Sequence, residues 1–268
     1  MEVHSTCQPF FTFGRAWRAM LDHPLVPGPT SAIERGPWHY GADYISVYFR
    51  GEVASLKQLV PAPFVTDDGL CMAYVCEIIS VADAGPEMIA SRPDRTIYQE
   101  AAVGVKCRFK GRAGIFFPVM WVTTEWSLLR GILNGYQKRL ADRISMTRLH
   151  PLNPGLKEIA PGARFGGFCV KGPGQTLSLE VTIAKAGSPS DLPSFGPTYG
   201  MRRFPRTGDA ETEVNEPVEI LKSNSRVSDV WIGSGSLKTK LKVGRIKPLS
   251  GAVYRSGFTI SGSKVLKA

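Results

Sequence analysis

Apolar and polar residues alternate along most of this chain with the period of a strand. Alternating apolar positions at residues 44–49 predict a strand, and residues 53–60 a short amphipathic helix stopped by Pro61 and Pro63. Further strands are predicted at about residues 70–80, 97–109 and 115–122. In the second half, strand-like runs cover residues 177–184, 218–226, 230–243 and 251–260. Lys238, Lys240 and Lys242 alternate as the solvated face of a strand would. Gly172-Pro173-Gly174 reads as a hairpin turn, and residues 200–216, rich in charge and turn formers, as an exposed loop. After residue 122 the period changes. Thr123 or Thr124 can cap a helix with Glu125 in its first turn and Trp126, Leu129 and Leu133 on one face. Gly135 is placed to end that helix in a left-handed turn. Residues 1–35 read as an irregular segment, and Gly36-Pro37-Trp38 opens a single domain running to residue 268. Strands dominate and a few short helices are added, so the expected class is mostly β or α+β.

Composition narrows the functional classes. At 268 residues and 43% hydrophobic, the chain has enough apolar surface to build a core and is not a disordered one. No apolar run reaches the ~20 residues of a bilayer-spanning helix. With Glu2 and polar residues before Cys7, the N-terminus lacks the basic start and apolar core of a signal peptide, and a cytoplasmic protein is expected. The five cysteines include no Cys-x-x-Cys pair and are expected to be free thiols. Four scattered histidines give no ligand spacing for zinc, so no metal is expected. The net charge of +10 is spread out rather than clustered, which favours small anions over nucleic acid.

The common catalytic signatures are missing: there is no Gly-x-Ser-x-Gly elbow, no Walker loop and no His-Glu-x-x-His. The reactive group of an enzyme with this sequence is then a lysine, a carboxylate or a tyrosine. Lys138-Arg139, just after Gly135-Tyr136, is the constellation to weigh. An amine attacks a ketone only when neutral, and burial or a neighbouring cation frees it from its proton. In an extended segment, however, consecutive side chains point to opposite faces.

The stretch from Tyr98 to Ala141 resembles the acetoacetate decarboxylase family. Tyr98-Gln99-Glu100 matches the family's Tyr-x-Glu strand, and Gly135-Tyr136-Gln137-Lys138-Arg139 its Gly-Tyr-Pro-Lys-Lys segment. Gly36-Pro37-Trp38, the run from Leu56 to Pro63, Tyr199 to Pro205, and Val227 to Trp231 followed by Gly233 agree in order. The resemblance thus covers about residues 36–258. It implies a curved, partly closed antiparallel β structure around an apolar cavity, a homo-oligomer, and a Schiff-base lysine that needs no external cofactor. Acetoacetate decarboxylase is itself the standard example of a lysine activated by desolvation or a nearby cation. Carried over, Lys138 is the nucleophile, Arg139 its cationic neighbour and Glu100 the active-site carboxylate. Tyr98, Tyr74, Tyr136, Gln137 and Tyr254 are the candidate substrate-binding residues.

The departures from the family pattern shift the expected substrate. The family's early arginine falls on the stretch Tyr40-Gly41-Ala42-Asp43, and its second glutamate on Cys71-Met72-Ala73-Tyr74; Glu77 replaces the latter only on a register shift. Its Gly-Arg-Glu is here Arg130-Gly131-Ile132, and its proline before the lysine is Gln137. The lost arginine and glutamate are the groups that hold a small β-keto carboxylate, so a substrate other than acetoacetate is expected. Three functions follow: decarboxylation of a larger β-keto acid, aldol and dehydratase chemistry on keto acids or aldehydes through the same imine, or non-catalytic binding of a small apolar carbonyl ligand. In the aldol case Asn134, Gln137 and Tyr254 are candidates to position water or hydroxyl groups.

Overall fold

The computed structural model describes residues 31–83, 85–205 and 212–267. The first strands follow the alternation closely: β1 (Trp38–Arg50), helix α1 (Val53–Lys57), β2 (Leu70–Ala82), helix α2 (Met88–Ser91), β3 (Ile97–Phe109) and β4 (Arg112–Val122). Helix α3 (Glu125–Asn134) leads into β5 (Lys138–Leu140), β6 (Arg143–Met146), β7 (Arg164–Val170) and β8 (Gln175–Ala186). The chain ends with β9 (Thr198–Pro205), the long β10 (Thr212–Thr239) and β11 (Lys247–Val265). The first 30 residues of the predicted irregular segment, with Cys7, lie outside the described residues.

One mixed, mostly antiparallel sheet contains every strand, in the order β11-β1-β2-β3-β4-β9-β10-β8-β7-β6, with β5 added alongside β4. Because β10 also pairs with β11, the strands from β11 through β4 and β9 to β10 close into a ring. The closure is partial in the sense expected: β10 continues out of the ring and pairs with β8, so β8, β7 and β6 form a flap beyond it. The only parallel contacts among these strands are β4 with β5 and a two-residue contact of β4 with β9.

Both faces of β1, β2 and β3 are covered, and the period-2 alternation sorts their side chains between two interiors. Ile45, Val47 and Phe49 of β1, with Ala101, Val103 and Val105 of β3, face the apolar core shared with β7 and β8. The intervening residues, among them Tyr44, Tyr74, Tyr98 and Glu100, face the inside of the ring. A one-residue slip of β3 would exchange these sets, so the core fixes the register of the site.

Four expectations need correction. The helix predicted over residues 53–60 stops at Lys57, because residue 60 precedes Pro61 and is pushed out of helical geometry. Residues 200–216 are not one loop: β9 reaches Pro205 and β10 begins at Thr212, leaving residues 206–211 outside the description. Their charges mislead because they pair across the strands, Arg202 with Glu216 and Arg203 Nε with Asn215 Oδ1 at 3.1 Å. The two strands read at 218–226 and 230–243 are one strand that ends at Thr239, so Lys240 and Lys242 lie beyond it rather than on a strand face; it is kinked where Asn224 and Asp229 take positive φ of 52° and 50°. Thr124 occupies the N-cap of α3 without a capping bond, and Thr123 Oγ1 bonds Gln99 instead. Gly135, with φ 101° and ψ 9°, does end α3 in the left-handed region. The Gly172–Gly174 turn joins β7 to β8 as read. Cys71, Cys76, Cys107 and Cys169 are free and buried. No helix among the described residues is long and apolar enough to cross a membrane.

Candidate active site

The ring encloses a cavity of about 920 Å³. Seven of the chain's eight tyrosines line it, all but Tyr199, and the phenols stay as neutral hydroxyl groups. Burial, then the negative charge of Glu100, pushes Tyr74, Tyr98 and Tyr136 above the ordinary phenol range. Tyr44 and Tyr254 stack with centroids 5.1 Å apart, and Ser46 Oγ donates to Tyr254 Oη at 3.3 Å. The Cys76 thiol, opposite Glu100 in the register, is pushed up by the same two causes and stays protonated.

The Lys138–Glu100 pair is made by strand pairing. Glu100 of β3 lies opposite Val122 of β4, while Lys138 of β5 lies opposite Met120, two residues back on the same face. That diagonal spacing is within reach of two long side chains. Lys138 Nζ stands 2.8 Å from Glu100 Oε2, with side chains only 7% and 5% exposed. Tyr74 Oη donates to the other oxygen, Oε1, at 2.6 Å, and Lys138 Nζ donates to Ser127 Oγ at 3.1 Å. The ammonium also lies 5.3 Å above the Tyr98 ring and 5.8 Å above that of Tyr136.

Arg139 is not part of this group. As the next residue of β5 it points to the opposite face and is exposed, which is the alternation of a strand overriding sequence adjacency. Gln137 does not line the cavity either. Its Nε2 donates to the carbonyls of Met201 and Gly135 at 2.8 and 3.2 Å, which ties the lysine segment to β9. Glu77 keeps its register opposite Gln99, accepts a bond from Gln99 Nε2 at 3.1 Å, pairs with Arg148, and stays outside the cavity.

Of the helix wall, sequence reasoning named Asn134 and missed the rest. The buried face of α3 is Trp126, Ser127, Arg130, Gly131 and Asn134, whereas Leu129 and Leu133 are only half-buried. Arg130 is 3% exposed and is caged by Trp126, Trp38 and Tyr40, with ring centroids 4.7, 5.4 and 5.6 Å from its guanidinium carbon. Its Nη2 is buried without a partner, and the residue lines the cavity. Gly131 makes room for the Lys138 stem, since a Cβ there would fall 2.2 Å from Lys138 Cδ. A glycine and an arginine spaced among apolar helix residues were the available signal. Lys222 of β10 is a further cation in the same cavity.

The model of one protein family, acetoacetate decarboxylase (ADC), matches residues 22–268. The chain belongs to the acetoacetate decarboxylase family. Among solved structures, an acetoacetate decarboxylase-like enzyme from Sphingomonas wittichii RW1 is 35% identical, with a TM-score of 0.84 over 91% of this chain and 98% of that one. The enduracididine biosynthesis enzyme MppR, solved in complex with pyruvate, is 22% identical, with a TM-score of 0.80 over 90% of this chain and 94% of its own. Acetoacetate decarboxylase from Legionella pneumophila is 14% identical and has a TM-score of 0.73, covering 97% and 98% of the two chains. The last two likenesses concern the fold alone. No curated protein matches the sequence. In this family member the ring-shaped sheet and its cavity are therefore the family fold, carrying its own set of lining residues.

Proposed function

We propose that this family member is a carbon–carbon lyase that forms an imine between Lys138 and a keto acid and retains the acid's carboxylate, in the manner of an aldolase-dehydratase. The observation that carries the reading is the buried Lys138–Glu100 pair opening onto a large phenol-lined cavity beside the unpartnered Nη2 of Arg130. Glu100 takes a proton from the Lys138 ammonium, and the free amine adds to the ketone carbon. Glu100 returns that proton to the hydroxyl of the adduct, which leaves as water and gives a protonated imine. Glu100 then removes a proton from the adjacent carbon, and the electron pair moves into the imine to give an enamine. The enamine carbon attacks an aldehyde, whose oxygen takes up a proton. Water leaves by elimination, and hydrolysis of the imine returns Lys138 and the product ketone.

Arg130 decides between this course and loss of carbon dioxide. Decarboxylation disperses the carboxylate charge on the way to the transition state, so a guanidinium holding that carboxylate stabilises the ground state more. The same contact costs nothing when the carboxylate is kept. The pyruvate bound by MppR and the condensation product of pyruvate and imidazole 4-carboxaldehyde bound by it support the reading. Assay with keto acids, alone and with aldehydes, under borohydride and with carbon dioxide measured tests it. The expected result is a Lys138 adduct that keeps the carboxylate mass, with condensation product and no gas. Gas release at the rate of turnover would establish the decarboxylase instead, and absence of any adduct from the folded protein would leave only a ligand-binding role.

A further inference from the structure

The charges lining the cavity do not balance. Four cationic side chains, Arg112, Arg130, Lys138 and Lys222, face two carboxylates, Glu100 and Glu219. Lys138 is matched by Glu100 at 2.8 Å, and Arg112 by Glu219 at 2.8 Å. Arg130 has aromatic faces but no acid among the described residues. Lys222 has the Phe258 ring, 4.7 Å from its Nζ, and no carboxylate partner among the described residues. Two positive charges are therefore left over, one on α3 and one on β10.

Lys222 shares the cavity lining with hydroxyl groups, Ser223 and Ser225 of β10 and Ser256 and Ser261 of the paired β11. Hydroxyl groups supply directional donors to a carboxylate oxygen. The cavity is also far larger than a three- or four-carbon acid fills, and sites for small ligands of ordinary size run to ~300–1,000 Å³.

We infer that Lys222 forms a second anion subsite, so that the cavity takes two carboxylates at once, one at Arg130 and one at Lys222. The ligand class is a keto dicarboxylic acid, or a keto acid together with an aldehyde that carries its own carboxylate. This rests on the imine reading for its chemistry but not for its test. Lys222 is exposed to solvent, and the other charged groups facing the same space are Glu100, Lys138, Arg130 and the Arg112–Glu219 pair.

The test uses saturated acids, which have no carbonyl and cannot form an imine, so its outcome is separate from that of the Lys138 chemistry. Succinate, glutarate, adipate and pimelate are titrated calorimetrically against the full chain, with butyrate and hexanoate as single-carboxylate controls. One arm expects a dicarboxylate of the right length to bind one per chain, at least tenfold tighter than either control at pH 7. Lys222→Gln removes that advantage and Lys222→Arg retains it. The other arm, two carboxylates carried by separate reactants, gives two monocarboxylates per chain in the wild type and one in Lys222→Gln. Circular dichroism and melting temperature confirm that both variants are folded. Equal affinity for all the acids in wild type and Lys222→Gln overturns the inference.

Discussion

Gly131 decides where the Lys138 amine lies. In the interior of a helix a glycine costs about 1 kcal/mol relative to alanine, so its presence in α3 needs a reason. That reason is the Lys138 stem, which lies where a Cβ at position 131 would have to be. Gly131→Ala is expected to leave the melting temperature unchanged or slightly higher while the rate of borohydride-trapped imine falls at least tenfold. A fall in both together would mean that the glycine serves packing only. Glu100→Gln keeps the acceptor for Tyr74 but removes the base, and turnover is expected to drop ~10²–10⁴-fold with the imine still detectable by mass. At this scale the sequence was legible where a motif named a position: Lys138, Glu100, Tyr74, Tyr98, Tyr136 and Tyr254 all meet in the cavity. It was illegible where direction mattered. Arg139 and Gln137 were carried over with the family's lysine segment, although an extended segment sends neighbours to opposite faces. Arg130 was read as a lapse from the family pattern, although a helix turns it into the cavity wall.

The working element is α3 together with β5, joined at Gly135. The left-handed turn there reverses the chain within two residues, so that Lys138 returns beneath the helix it follows. Gly135 also approaches β10 and β9 closely: a Cβ would fall 2.5 Å from Val218 Cγ2, and its carbonyl accepts from Met201 N at 2.8 Å. Gly135→Ala combines an unfavourable φ with that clash, and a loss of about 2 kcal/mol is expected. For a chain of this size that lowers the melting temperature by roughly 4–8 °C in differential scanning calorimetry. An unchanged melting temperature would show that the turn relaxes without strain. Alternation and clear stops made β1 to β4 readable from sequence, and the glycine made the end of α3 readable. The strands that were missed carry the opposite features. β7 contains Gly166 and Gly167, and β9 carries Arg202 and Arg203, whose partners on β10 only the tertiary pairing supplies.

Across the whole molecule, closing a sheet into a ring creates an interior that must be filled with side chains or left for a ligand. Here the smaller strand residues and tyrosines leave it open, and taking charges into it costs hydration. Arg130 is the clearest case. A guanidinium removed from water without a carboxylate loses several kcal/mol of hydration, and contacts with three aromatic rings offset part of it. Methionine has a similar length and also packs well against aromatic faces, so Arg130→Met restores the volume without the charge. The melting temperature of Arg130→Met is therefore expected to equal or exceed that of the wild type. Binding of any keto acid is expected to weaken at least tenfold, seen as a raised concentration for half-maximal imine trapping on Lys138, since the carboxylate would then enter a wall with no cation. The maximal trapping rate, which depends on Lys138 and Glu100, is expected to change far less. If Arg130→Met instead melted lower and bound keto acids normally, the arginine would be a packing residue of the aromatic cluster, and the substrate carboxylate would have to be held elsewhere in the ring.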